Sequence, residues 1–450
     1  MSHFNKQWVP APAAEHVVVQ EIRKRVVDRL RNAGPVISAE HQAIVRSEVD
    51  SWVARRAQAG HVLPPVELET QLAAAVLAEM SGVGRLEPLL ERPDVENIHI
   101  HGHDRVFLEL STGEIERHPY PVADSDADLI ERLSAMFAQL GQTAREFSRA
   151  NPIGNLHLPM GGPLGSRLAA VIEVSGRPNV AIRRYRLTDT TLEDLVREGT
   201  VDGLLVEVLR GAINAGCNIV VSGGPAAGKT TLLRTLCQEI SPAEHLLTVE
   251  DERELGLELF AQHPMVTAWE ARLPNAEGAG SITMDELLKQ ALRHSPHRVI
   301  VGEVRGGEVT SMLRALGNGA YGGMCTLHAT SAHAVLDRIA SLGTLADPPM
   351  PIEAAYRWTA AAVDLVVHAR KRDTRQGRER FISEIVEIGQ VGENGRPDTT
   401  TLFSPRPADG RAVPSYPPSP ALLARLREHG VDPRIWSEFP DGTWQPGVLR

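Results

Sequence analysis

Cysteine is scarce in this chain. Its three residues, Cys217, Cys237 and Cys325, lie far apart in the 450-residue sequence and form no C-x-x-C pair. That spacing supports neither a disulfide framework nor a zinc ribbon, and it fits a reducing cytoplasm. Aromatic residues are also few, at 4%, and 47 basic against 57 acidic residues leave a net charge of -10. An acidic chain without a basic, aromatic-rich stretch is not expected to take nucleic acid as its main partner. No segment approaches about 18 uninterrupted apolar residues, and Met1 to Pro12 has no basic start followed by an apolar run. The chain is therefore expected to be soluble, with any membrane role peripheral. No internal repeat is visible.

What is present is enough apolar material, 42% of the residues, to pack two or three domains at this length. Apolar positions Val19, Ile22, Val26 and Leu30 recur at helical spacing over 14–30, which predicts an amphipathic helix. That helix either contacts a membrane platform or packs on its own domain. Pro64-Pro65 reads as a boundary before a second helix, over 66–80. Short β-rich runs follow at 95–101, 106–110, 167–174 and 180–185, with a helix over 126–140, and suggest a small α/β domain. From Leu204 the rhythm becomes alternating helix and strand, with strands at 219–222, 246–250, 298–302, 324–328 and 365–368. Alternation implies a parallel sheet whose ligands gather at the carboxyl ends of its strands. Beyond Ser404 the chain is rich in proline (Pro405, Pro407, Pro414, Pro417, Pro418 and Pro420 among others), which suggests a tail with one short helix near 422–429.

The most informative stretch is Asn218 to Thr231. Gly223, Gly224, Pro225, Ala226, Ala227, Gly228, Lys229, Thr230 and Thr231 follow an apolar strand and satisfy G-x-x-x-x-G-K-[ST]. Loop N–H groups converge on phosphate where no Cβ intrudes, and the next helix adds the positive end of its dipole. Lys229 is placed for the β- and γ-phosphates of ATP, and Thr230 for Mg²⁺. Glu303 ends the strand Val299 to Gly302 and is placed to orient an attacking water. Arg305, two residues on, either holds a switch element or forms a surface ion pair. Glu250 ends another apolar strand, followed by Asp251 and Glu254, and serves either metal and water or a strand-end cap. His328 closes the strand from Cys325 and either senses the γ-phosphoryl group or is a hydrogen-bonded structural histidine. His99, His101 and His103 alternate along one strand face, but no carboxylate or cysteine at ligand spacing accompanies them.

In this order the blocks resemble the type II/IV secretion traffic ATPases, and most closely the CpaF-like branch that powers assembly of tight-adherence (Tad) pili. Gly223 to Thr231 matches the first motif of that family. Val249-Glu250-Asp251-Glu252-Arg253-Glu254-Leu255 is similar to its Asp box, Val301-Gly302-Glu303-Val304-Arg305-Gly306 to its second motif, and Thr326-Leu327-His328-Ala329 to its His box. Gly84 to Leu90, Gly165-Ser166-Arg167, Ile182 to Tyr185 and Ala362 to His368 extend the likeness over about residues 66–403. The resemblance implies an α/β protein with a RecA-like P-loop ATPase domain (191–404). A smaller α/β N-terminal domain (65–190), a helical extension (1–64) and the proline-rich tail (405–450) complete the expected division. It also implies a homo-hexameric ring, an inner-membrane platform protein as partner, and arginines near the phosphates at Arg167, Arg183 and Arg272.

Several positions depart from the pattern. The loop has Pro225-Ala226-Ala227 where threonine, glycine and serine are common; Ala279 stands where an arginine is common; and Thr330 and His333 replace asparagine and arginine. A type II secretion or type IV pilus extension motor is disfavoured, because there is no tetracysteine element and Gly306 follows Arg305. A type IV secretion or conjugation ATPase, a nucleic-acid motor, and a nucleotide-binding scaffold with little turnover remain the alternatives.

Overall fold

Periodicity of 3.6 near the start and of 2 from Val95 onward sets the order of elements. In the computed structural model this becomes three helices, an antiparallel sheet and then a mainly parallel sheet. The structure describes residues 13–29, 39–60, 66–80, 84–140, 147–185, 189–272, 274, 278–317, 321–374 and 377–444. Contacts divide the chain into two compact units, Met1–Arg186 with Asn275–Glu277, and Leu187–Pro274 with Gly278–Arg450. The boundary expected at 64 lies outside the described residues. Among the described residues, no helix is long and apolar enough to cross a membrane.

In the first unit, α1 (Ala13–Arg29), α2 (Ala39–Gln58) and α3 (Val66–Met80) share a core of Ile22, Val26, Val45, Val49, Leu72 and Val76. The face of α1 that was predicted from its apolar spacing is thus covered by its own unit. After the short α4 (Glu87–Glu91) come β1 (Val95–His101), β2 (Val106–Leu110), β3 (Ile115–His118), α5 (Asp126–Leu140), β4 (Ile153–Leu158), β5 (Ser166–Val171) and β6 (Asn179–Arg184). The strands form one antiparallel sheet in the order β3-β2-β1-β6-β5-β4. Alternation decides its faces. Ile98, Ile100, Leu168 and Ile182 point into a core shared with Leu129, Leu133 and Met136 of α5. Arg167 and Arg183 lie on the other, half-exposed face, directly opposite each other in the β5–β6 register.

The second unit opens with α6 (Leu192–Arg197) and α7 (Gly203–Asn214), each started by a hydrogen-bonding N-cap, Thr191 and Asp202. Strand β7 (Ile219–Gly223) and helix α8 (Lys229–Gln238) follow, then β8 (Leu246–Glu250), β9 (Val266–Glu270), α9 (Met284–Ala291), β10 (Arg298–Val304), α10 (Val309–Gly317), β11 (Met324–His328), α11 (Ala334–Gly343) and α12 (Ile352–Ala362). Strands β12 (Leu365–Thr374), β13 (Gly377–Val391), β14 (Pro397–Pro405) and β15 (Ala412–Pro414) complete a sheet of order β15-β14-β13-β12-β7-β11-β10-β8-β9. The strands from β12 to β9 run parallel, with β7 between β11 and β12. Both sheet faces are covered. Ile219 and Val221 belong to the core with α7 and α8, and Val220 to the core with α10 and α11. Continuous burial of β7 and β8 leaves charged side chains room only at strand ends.

The segment after 405, expected as a tail, is packed into this unit. Leu422 and Leu426 of α13 (Pro420–Glu428) and Ile435 of α14 (Ile435–Glu438) lie in the core beside α7. Trp436 donates to the Leu402 carbonyl and Trp444 to that of Ala412. Arg411 is buried between the Phe381 and Trp444 rings, 5.0 and 5.2 Å from their centres, with Asp409 and Glu379 beside it. The prolines there end an edge strand and start a helix, roles in which a missing N–H costs little.

Candidate active site

The phosphate loop joins β7 to α8. Gly223 pairs with Ala369 of β12, whose carbonyl would collide with any Cβ at that position. Gly228 is the N-cap of α8 in a left-handed conformation, φ +87. A Cβ at Gly224 would meet no atom within 4 Å, so the loop encloses open space. Lys229, the first residue of α8, is buried and turns its ammonium back over the loop, 3.1 Å from the Gly224 carbonyl.

Two neighbouring strands deliver the other charged groups to the same edge. His328 pairs in register with Gly223, and its Nδ1 is 3.2 Å from Lys229 Nζ. Its Nε2 lies 2.9 Å from Glu303 Oε1 at the end of β10. Burial, then the Lys229 ammonium, holds the His328 pKa below the usual value, so the imidazole is neutral at pH 7. The other Glu303 oxygen accepts from Arg305 Nε at 2.8 Å, and Arg305 also reaches Asp251 at 3.3 Å. Both Glu303 oxygens therefore have protein cations or imidazole beside them.

At the end of β8, Glu250 is buried and its Oε2 accepts from the N–H groups of Glu254 and Leu255, at 2.9 and 3.0 Å. Burial pushes its pKa up to about 8, against the lowering effect of those two bonds. Gly302 makes this packing possible, because a Cβ there would fall 2.8 Å from Glu250 Cγ. Arg234 of α8 donates to the carbonyls of the same two residues, 2.6 Å to Glu254 and 2.8 Å to Leu255. The turn after β8 is thus gripped through both its N–H and its C=O groups. That grip holds the Glu254 carboxylate 3.4 Å from the Thr230 hydroxyl. Of the acidic residues after β8, Glu254 is the one beside Thr230, and Glu250 faces the backbone. Sequence reasoning ranked them the other way, since a strand-end position does not reveal where a carboxylate points.

The arrangement fits a nucleotide with a hard cation: a glycine cradle, a lysine, and oxygen donors from a hydroxyl and a carboxylate. Among the described residues no group of three or more His, Cys, Asp or Glu is placed to hold a metal ion. His103 turns instead to Asp126, 2.8 Å away.

The arginines expected near the phosphates come from both units. Arg167 and Arg183 belong to the first unit, on its sheet face. Arg272 follows the edge strand β9, bridges to Ile282 and donates to the Gly280 carbonyl at 2.6 Å. Four strand spacings of about 4.8 Å put β9 roughly 19 Å from β7, beyond the reach of one side chain. Arg380 of β13, which sequence reasoning passed over, donates to the Ala226 carbonyl of the phosphate loop at 3.0 Å.

A family model described as type II/IV secretion system protein matches residues 79–390. The chain belongs to that family. It is accordingly an ATP-hydrolysing secretion ATPase with a RecA-like domain after a smaller N-terminal one. A Mycobacterium tuberculosis relative whose name ties it to conjugal transfer is 32% identical over 329 residues, 72% of this chain and 89% of its own. The type IV secretion system protein VirB11 of Brucella suis is 28% identical over 324 residues, 67% of this chain and 87% of its own. Among solved structures, the VirB11 ATPase of Brucella suis matches 69% of this chain and 96% of its own at 27% identity and a TM-score of 0.35. The Legionella pneumophila ATPase DotB matches 72% and 82% at 16% identity and a TM-score of 0.48.

Proposed function

We propose that this chain is a ring-forming, Mg²⁺-dependent motor that drives pilus assembly of the Tad type. In this reading it works as a homo-hexamer at the inner face of the cytoplasmic membrane, against an inner-membrane platform protein. The observation that carries the reading is the chain of contacts from Lys229 through His328 to Glu303, 3.2 and 2.9 Å, along one edge of strand ends. Lys229 and the loop from Gly223 to Thr231 hold the phosphates. Bound Mg²⁺ neutralises charge on the β- and γ-oxygens. Thr230 is the residue to hold it, with Glu254 alongside and Glu250 in support. Glu303 orients the attacking water once Arg305 and His328 release its oxygens, and His328 reports the γ-phosphate. Arg167, Arg183 and Arg272 supply positive charge from the N-terminal domain and from a neighbouring subunit, so hydrolysis requires closure. The helical extension belongs with the N-terminal domain before about 190, and the C-terminal segment with the ATPase domain after it.

Conjugation or type IV secretion is the second reading, and the names of the relatives favour it. The test is Mg²⁺-dependent ATP hydrolysis by the purified protein, with and without membrane lipid, alongside its mass in solution with ATP. Slow hydrolysis by a nucleotide-favoured ring, faster with lipid, is expected. A monomer that binds ATP without turnover would replace the motor with a scaffold, and stimulation by DNA would revive a nucleic-acid motor.

A further inference from the structure

Ala226 sits in the phosphate loop at φ +56, a conformation that glycine adopts freely and alanine does not. Such a residue persists only where its surroundings hold it. Its carbonyl is held from the hairpin of β12 and β13. Strand β12 runs alongside β7 as far as Gly223, which pairs with Ala369, and then continues through Arg370 to Thr374 before β13 returns. Those five residues carry the hairpin roughly 17 Å past the end of β7. Arg380, opposite Lys371 in that overhang, donates its Nε–H to the Ala226 carbonyl at 3.0 Å. Its stem also lies over the last glycine of the loop, with Cδ 3.3 Å from where a Cβ on Gly228 would be.

We propose that Arg380 is a positioning residue for nucleotide binding, clamping the strained Ala226 peptide in the left-handed turn from which the phosphate loop closes onto α8. The clamp rests on the reading of this loop as the nucleotide site. It also gives the hairpin a way to sense the loop, since 154 positions of sequence separate the two partners. An arginine that served only as a positive charge near phosphate would need no bond to this carbonyl and no strained residue beneath it.

Glutamine places its Nε2 donor on Cδ, as arginine places Nε, but carries no charge. The test is therefore a set of variants, Arg380→Ala, Arg380→Gln, Ala226→Gly and the double Ala226→Gly/Arg380→Ala, read by binding of fluorescent ADP with Mg²⁺ and by KM and kcat for ATP. Arg380→Ala is expected to weaken binding and raise KM about tenfold with kcat changed less than about threefold, the cost of one hydrogen bond. Arg380→Gln should stay within about threefold of the parent. In the Ala226→Gly background, loss of Arg380 should cost less than about twofold, because glycine needs no clamp. Equal losses in the two backgrounds, or a glutamine variant as weak as the alanine one, would show a direct charge on phosphate and overturn the clamp. If the parent itself bound no nucleotide, the ATPase reading would fall. The urea midpoints of the same four proteins still read the clamp, since absence of coupling between positions 226 and 380 overturns it on its own.

Discussion

The two sheets handle polar residues in opposite ways. In the first unit β5 alternates buried and half-buried residues, so Arg167 and Arg183 stand on a sheet face. In the second unit β7 and β8 are buried throughout, and the charged groups collect where the strands stop, at Lys229, Glu250, Glu303 and His328. An antiparallel sheet with one solvated face can present a surface; a parallel sheet covered on both faces can present only an edge. The edge lines up groups from the start of α8 and the ends of β11 and β10, each about 3 Å from the next, as precise chemistry requires. The face holds two like charges directly opposite, a pairing that disfavours the isolated sheet and suits an anionic partner.

The comparison can be broken most severely at the edge. Lys229→Ala and Glu303→Gln should each lower ATP turnover by about 100-fold or more, measured as phosphate release. The two should then separate, with Glu303→Gln retaining nucleotide and Lys229→Ala losing most of it; near-parent turnover in both would remove the site. At the face the expected loss is smaller and has a second signature. Arg183→Gln should reduce turnover about tenfold while raising stability toward urea by a few tenths of a kcal/mol, since it relieves a like-charge pair. A fall in both would assign the arginine to structure.

The smallest effect tests the price of burial on both faces. His368 of β12 is buried against the Ser222 hydroxyl, 2.9 Å away, and burial lowers its pKa. The imidazole is neutral in the fold, whereas the unfolded chain takes up a proton as the pH drops through about 6.5. The stability it contributes is therefore complete above pH 6.5 and declines as the pH falls toward the folded pKa. Urea midpoints measured from pH 7.5 to 5 should fall in the parent in part on account of this residue, and less steeply in His368→Gln. An unchanged slope in the variant would show that the titration belongs to other histidines.

Much of this was readable in the residues. Helices 66–80 and 126–140 and strands 95–101 and 106–110 coincide with α3, α5, β1 and β2, because their periodicity is local and long enough to be unambiguous. The strand–loop–helix at Ile219 to Gln238 was legible for the same reason, with glycines at the two places where a Cβ cannot be tolerated. Helix α2 and strands β3, β4, β9, β13, β14 and β15 were not called. Several of them are short or at an edge, where pairing rather than pattern makes the strand. After 405 the short helix near 422–429 was legible as α13, but the run of prolines from Pro405 to Pro420 hid that Leu422 and Leu426 have a core to enter.

By itself the sequence determined the phosphate loop, the helix that follows it, and the fact that apolar strands end in carboxylates and a histidine. These are short-range properties, set by steric freedom at glycine and by hydrophobic period. Only the tertiary structure decided that Glu254 and not Glu250 faces Thr230, that Arg234 grips the turn between them, and that Arg380 reaches Ala226. Those choices depend on which strands become neighbours and on what burial leaves room for, and no window of sequence contains both partners.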